Sequence, residues 1–148
     1  MRYATINDEF RRLLPELEAQ IERDEQDGPY IVFGMVVRPW LEATLAESGT
    51  ESKVAEAFQL FERMAKSEDS ETVNFVWIEV GELLVEWRIR NEPLFERARP
   101  HVGPELLSFT RQIAESPMFG LSWDESESRG WSLRDKRGGV RTPFSFER

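Results

Sequence analysis

Val-Asn-Phe-Val-Trp-Ile-Glu-Val-Gly-Glu-Leu-Leu-Val-Glu-Trp-Arg-Ile, residues 73–89, is the stretch that decides how this chain folds. Apolar residues fall on almost every side of it: Val73, Phe75, Val76, Trp77, Ile78, Val80, Leu83, Leu84, Val85, Trp87 and Ile89. A helix apolar nearly all round has to be enclosed by other helices. The stretch therefore predicts a central helix with neighbours wrapped about it. Its three carboxylates, Glu79, Glu82 and Glu86, stand at offsets of three and four, which gathers them on one helical face. That narrow acidic stripe is either the helix's one solvent window or a working surface.

On the N-terminal side, Val54, Phe58, Phe61, Met64 and Ala65 repeat at helical spacing behind Thr50 or Ser52 as the cap. This helix ends in the polar residues 67–70, where Ser70 can cap the central helix. Further back, residues 31–47 read as one helix bent at Pro39. Ile31, Val32, Val36 and Val37 are β-branched, so a short strand followed by a helix is the alternative. The chain opens on another helical pattern, Ile6, Phe10, Leu13, Leu14, Leu17 and Ile21. Pro15 either kinks it or starts a second helix.

On the C-terminal side, Asn91 caps a short helix over 92–98 with Pro93 in its first turn. Pro104 begins a further helix that turns Leu106, Phe109 and Ile113 inward, and Pro117 ends it. From Gly120 the chain is polar and loses its helical period. A strand pair near 130–133 and 140–146, turned at Gly138-Gly139, is expected there. The expected fold is all-α, a compact multi-helix bundle or stacked α-hairpins, with an acidic helical domain over 1–117 and a polar, aromatic-containing extension over 118–148.

Composition bounds the chemistry. At 148 residues one domain is the default, and a substantial core can form without covalent staples. A hydrophobic fraction of 40% and a charged fraction of 32% are those of an ordinary globular protein. The absence of cysteine excludes disulfides, thiolate metal sites and cysteine nucleophiles. The opening residues carry no apolar signal region and no apolar run is long enough to span a bilayer, so a cytoplasmic protein is expected.

Charge is unevenly placed. Residues 1–120 hold 23 acidic and 13 basic residues, a net of −10, whereas residues 121–148 hold 5 and 6, a net of +1. Such a body repels nucleic acid and anionic membranes and attracts basic proteins. Solubility alone would also account for it. A basic cluster, Arg134, Lys136, Arg137 and Arg141, is opposed as a nucleic-acid site by that body.

Reactive constellations are scarce. His101 is the only histidine and has no Glu or Asp three residues before it, so neither a zinc site nor a di-metal bundle site can be built in the usual way. No nucleophile elbow occurs, and no glycine pattern makes a phosphate loop. The expectation is a non-catalytic protein without metal or other cofactor. The candidate partner-binding residues are Glu68, Asp69 and Glu71 in the turn before the central helix, Glu79, Glu82 and Glu86 on it, and Trp123 and Trp131 in the extension. Tryptophan is enriched at binding hot spots, although both could equally pin the extension to its own body. A homodimer is compatible with the sequence.

Several stretches together carry a resemblance. They are Tyr-Ile-Val-Phe-Gly-Met-Val-Val-Arg-Pro-Trp-Leu (30–41), Phe-x-x-Phe-Glu-Arg-Met-Ala (58–65), Val-Trp-Ile-Glu-Val-Gly-Glu-Leu-Leu (76–84) and Gly-Pro-Glu-Leu-Leu (103–107). Over about residues 5–115 the chain resembles small bacterial helical domains, some of which are similar to immunity proteins of polymorphic toxin systems. The resemblance implies sequestration of a basic toxin and brings no catalytic residue with it. A housekeeping or regulatory helical interaction module is the alternative.

Overall fold

The computed structural model describes the backbone of residues 1–124 and 132–135 and the side chains of residues 1–122. Seven helices form the body: α1 (Ile6–Leu13), α2 (Glu18–Asp24), α3 (residues 29–46), α4 (Glu51–Ala65), α5 (residues 70–90), α6 (Glu92–Ala98) and α7 (Pro104–Glu115). Two short strands follow, β1 (Leu121–Asp124) and β2 (Ser132–Asp135), paired antiparallel with Leu121 opposite Asp135.

The central helix is α5. Phe75, Val76, Val80, Leu83, Leu84, Val85, Trp87 and Ile89 are all buried, whereas Glu79, Glu82 and Glu86 keep partial contact with solvent. Around it runs a chain of aromatic contacts that ties four helices together. Phe10 of α1 lies 6.3 Å from Phe33 of α3, which lies 5.9 Å from Phe75 of α5 and 6.1 Å from Phe61 of α4. These tilted and edge-on pairs add specific geometry to area burial.

Proline and glycine set the boundaries. Helix α1 stops at Leu13, and Pro15 opens a 3-10 turn, Pro15–Leu17, that leads into α2. Gly28, at φ 93°, supplies the left-handed residue before Pro29 starts α3. The β-branched residues 31–37 are helical, so the strand alternative does not hold: Val32, Val36 and Val37 are buried on the packed face of α3 and tertiary burial outweighs local propensity. Pro93 and Pro104 both sit in first turns, and α7 directs Leu106, Phe109 and Ile113 into the core.

Two helices contain a π-helical turn, Phe33–Val37 in α3 and Trp77–Gly81 in α5. There the backbone bonds run five residues back, from Arg38 N–H to the Phe33 carbonyl and from Glu82 N–H to the Trp77 carbonyl. At Gly81 the central helix comes so close to α7 that an added Cβ would lie 2.5 Å from Ile113 Cδ1. Nothing larger than hydrogen fits there without moving its neighbour.

The strand pair is present but displaced from its sequence-based position. Its first strand is 121–124, and only 132–133 of the second coincides with the expected 130–133; residues 136–148, including 140–146 and Gly138-Gly139, lie outside the described residues. The hairpin begins on the body rather than apart from it, because Leu121 is fully buried with Val85, Ile89, Ile113 and Ala114.

Candidate functional site

The acidic stripe of α5 is partly buried rather than fully solvated. It forms one wall of a groove of about 460 Å³ whose other wall is α3. Ile78, Glu79, Glu82, Leu83 and Glu86 come from α5, and Phe33, Gly34, Arg38, Pro39 and Glu42 from α3. The two π-helical turns meet across it, Phe33 and Gly34 on one side and Ile78 and Glu79 on the other. Single π turns inside α-helices occur frequently at functional sites.

Four carboxylates thus share the groove with one guanidinium. The Arg38 Nε donates to Glu42 Oε2 at 3.3 Å, and the Trp87 indole Nε1 donates to the same oxygen at 3.1 Å. Among the described residues this is the only ion pair inside the groove. Glu79 and Glu82 feel the consequence. Burial, then the neighbouring Glu82 charge, pushes the Glu79 carboxyl above its ordinary range, with Arg38 opposing. Burial and the Glu86 charge do the same to Glu82. Both shifts come first from desolvation and second from a neighbouring carboxylate.

The groove continues. Glu42 also borders an adjoining pocket of about 520 Å³ formed with Ala43, Ala46, Asn91, Pro93, Leu94 and Arg97. At the other end of α3, Ile31 and Met35 stand one turn apart and are 44% and 63% exposed. Residues 38, 42 and 46 follow the spacing of a single helical face, and the π-helical turn Phe33–Val37 separates that face from Ile31 and Met35. The acidic groove therefore borders a partly apolar pocket at its Glu42 end.

The candidate residues before α5 have a different setting. Asp69, not Ser70, is the residue at the N-cap of α5. Its carboxylate accepts from the Tyr3 backbone N–H at 2.6 Å and the Thr72 hydroxyl at 2.8 Å. The Thr72 bond, followed by the Tyr3 one, holds the Asp69 carboxyl below its usual range. The Ser67 hydroxyl donates to the Met1 carbonyl and accepts from the Asp69 N–H, so the turn fastens the chain's N-terminus to α5. Glu68 and Glu71 are exposed beside it. Glu71 precedes Glu79 by eight residues, about 12 Å along a helix axis, so the turn and the groove are separate acidic surfaces. Trp123 pairs with Leu133 in the β ladder, and Trp131 lies outside the described residues.

Sequence reasoning missed Arg38, Glu42, Ile31 and Met35. The i,i+4 spacing of Arg38 and Glu42 was a signal, but nothing in it tells that the pair faces α5. His101, the sole histidine, stacks on Phe58 with ring centroids 6.4 Å apart. Among the described residues no group of three or more His, Cys, Asp or Glu is arranged to hold a metal ion. Nor is any helix among them long and apolar enough to cross a membrane.

The fold and groove define a small all-α domain with an acidic channel between two π-interrupted helices. Residues 3–115 match the family described as DUF7674, a domain of unknown function, and the chain belongs to that family. The match takes in all seven helices and stops short of the hairpin. No curated protein and no solved structure matches the chain.

Proposed function

We propose that this chain is a non-catalytic binding protein that captures a basic protein in the α3–α5 groove. In its narrower form it is an immunity protein that neutralises a basic toxin. One observation carries the reading: Glu42, Glu79, Glu82 and Glu86 line one groove, and among the described residues Arg38 is the only cation lining it with them. Burial, and then a neighbouring carboxylate charge, raises the proton affinity of Glu79 and Glu82. An incoming arginine or lysine relieves that repulsion and makes charge-assisted bonds. A net charge of −9 over the chain extends the attraction beyond the groove and raises the encounter rate.

The test is capture of a partner by the full chain, followed by association kinetics at several salt concentrations. Raising salt from about 0.05 to 0.5 M shortens the screening length to a few ångströms. Association is expected to slow by tenfold or more, as typical of steered encounters. The triple variant Glu79→Gln, Glu82→Gln, Glu86→Gln is expected to slow it similarly at low salt, with the helical circular dichroism spectrum retained. Absence of any basic partner, or an association rate indifferent to salt, defeats the reading.

A further inference from the structure

The seam between α5 and α7 carries a small hydrophobic cluster separate from the main core, built on Val85, Ile89, Ile113 and Ala114. Leu121 fills it with no exposed surface, and Trp77 and Phe119 pack partly against it. Both α7 and the family match end at Glu115. The seat therefore lies within the matched residues and its plug lies beyond them. Between the two, the chain makes one tight turn. The Ser116 hydroxyl donates to the Ile113 carbonyl at 2.7 Å, and the Gly120 N–H donates to the Ser116 carbonyl at 2.6 Å. Gly120, at φ 62°, adopts the left-handed conformation that suits glycine. Pro117 and Met118 are exposed on this strap, and Leu121 is its one buried side chain among the described residues.

We infer that the strap over residues 116–121 is a clamp: Leu121, pressed on Ile113 and Trp77, holds the π-helical turn of α5 and so fixes one wall of the acidic groove. The contacts are contiguous. Ile113 belongs to the cluster that Leu121 fills, and its Cδ1 stands 2.5 Å from where a Cβ on Gly81 would lie. Gly81 is the last residue of the π turn Trp77–Gly81, and Trp77 is the first. Ile78 and Glu79 inside that turn, and Glu82 directly after it, line the groove. The bond that defines the turn, Glu82 N–H to the Trp77 carbonyl, joins a groove residue to a residue packed on the clamp. A π turn holds one residue more than the α-helical ladder accommodates, so it depends on its neighbours for support. Packed side chains that touch in sequence can carry such an effect from one surface to another. The clamp stands on this packing, and only its consequence for capture rests on the binding role proposed above.

The experiment measures amide hydrogen exchange of the full chain by NMR, taking the ratio of the Glu82 rate to that of Phe61 in α4. Local loosening raises this ratio, whereas a general loss of stability moves both rates together. Leu121→Ala is expected to raise the ratio at least tenfold. Leu121→Met, which nearly keeps the volume of the plug, is expected to leave it within threefold of the native value. So is Ile21→Ala, which empties a buried site in α2 away from the seam. The second readout is the affinity of penta-arginine in about 0.05 M salt, expected to fall at least threefold in Leu121→Ala and to be unchanged in Met118→Ala, which alters an exposed position of the same strap.

An unchanged ratio in Leu121→Ala, or an equal rise in Ile21→Ala, would overturn the clamp. A raised ratio with unaltered penta-arginine affinity would overturn its control of the groove. Failure of the native chain to bind the peptide would count against the binding role, and the exchange ratio would still decide the clamp.

Discussion

Asp69 shows how one carboxylate can hold two parts of a chain together. It takes the Tyr3 N–H and the Thr72 hydroxyl on one oxygen, 66 residues apart in the first case and three in the second. Its pKa is lowered in the folded state, so its contribution is present above the ordinary aspartate value of 3.8 and lost as pH falls below it. Asp69→Asn is expected to be less stable than the native chain at pH 7. The gap in denaturation midpoint should shrink as pH falls through 4 toward 2, and a constant gap would contradict the assignment. Glu62 has a comparable role: it accepts from the Glu105 and Leu106 N–H groups at 2.8 and 3.0 Å and so caps α7 from α4. Its removal in Glu62→Ala should cost about 1 kcal/mol, the usual scale for losing an N-terminal cap, measured by urea denaturation.

At the scale of the element, α5 is decided by what it must touch. Leu84 has no exposed surface, and Leu84→Ala should cost about 2–5 kcal/mol. Trp77 is only half-buried, its ring 5.1 Å from Phe109, so Trp77→Ala belongs at the lower end of that range. Gly81 lies where α5 packs closely on Ile113 of α7. Gly81→Ala places a methyl group against Ile113 and should cost about 1–3 kcal/mol by overpacking. Shortening Ile113 to Val removes the atom it meets. The double variant should then be more stable than the sum of the two single effects predicts, which a double-mutant cycle measures. Additivity would mean that the two helices can separate at that point freely.

For the whole molecule, the groove sets function against stability. Glu79 has a raised pKa in the folded state, so its contribution to stability is present below its ordinary value of 4.5 and lost as pH rises through the raised value. At neutral pH the ionised group therefore burdens the fold. Glu79→Gln should be more stable than the native chain at pH 7, on the order of 0.5 kcal/mol after solvent screening, and the difference should vanish in acid. The same substitution should weaken capture of a basic peptide. In the native chain, capture should begin to fail as pH falls from neutral toward the ordinary glutamate value of 4.5. Glu79 and Glu82 take up protons there before ordinary carboxylates do. Binding that is flat across that interval would mean that other carboxylates hold the ligand.

The residues themselves determined the helical class, the central place of residues 73–89 and the boundaries at Pro15, Pro93, Pro104 and Pro117. These are local properties: a period of 3.6, a missing backbone N–H, a fixed φ. The gathering of Glu79, Glu82 and Glu86 was legible for the same reason, since it needs only the geometry of one helix. Tertiary structure decided the rest. Residues 31–37 are β-branched enough to suit a strand, and only their burial against α1, α4 and α5 makes them helical. The π-helical turns leave no mark in an apolar pattern that already runs round the helix. Above all, Arg38 and Glu42 lie about forty residues from Glu82, and no spacing rule reaches across that interval. Whether an acidic stripe is a solvent window or the wall of a groove depends on what packs beside it, and that is fixed when α3 and α5 dock.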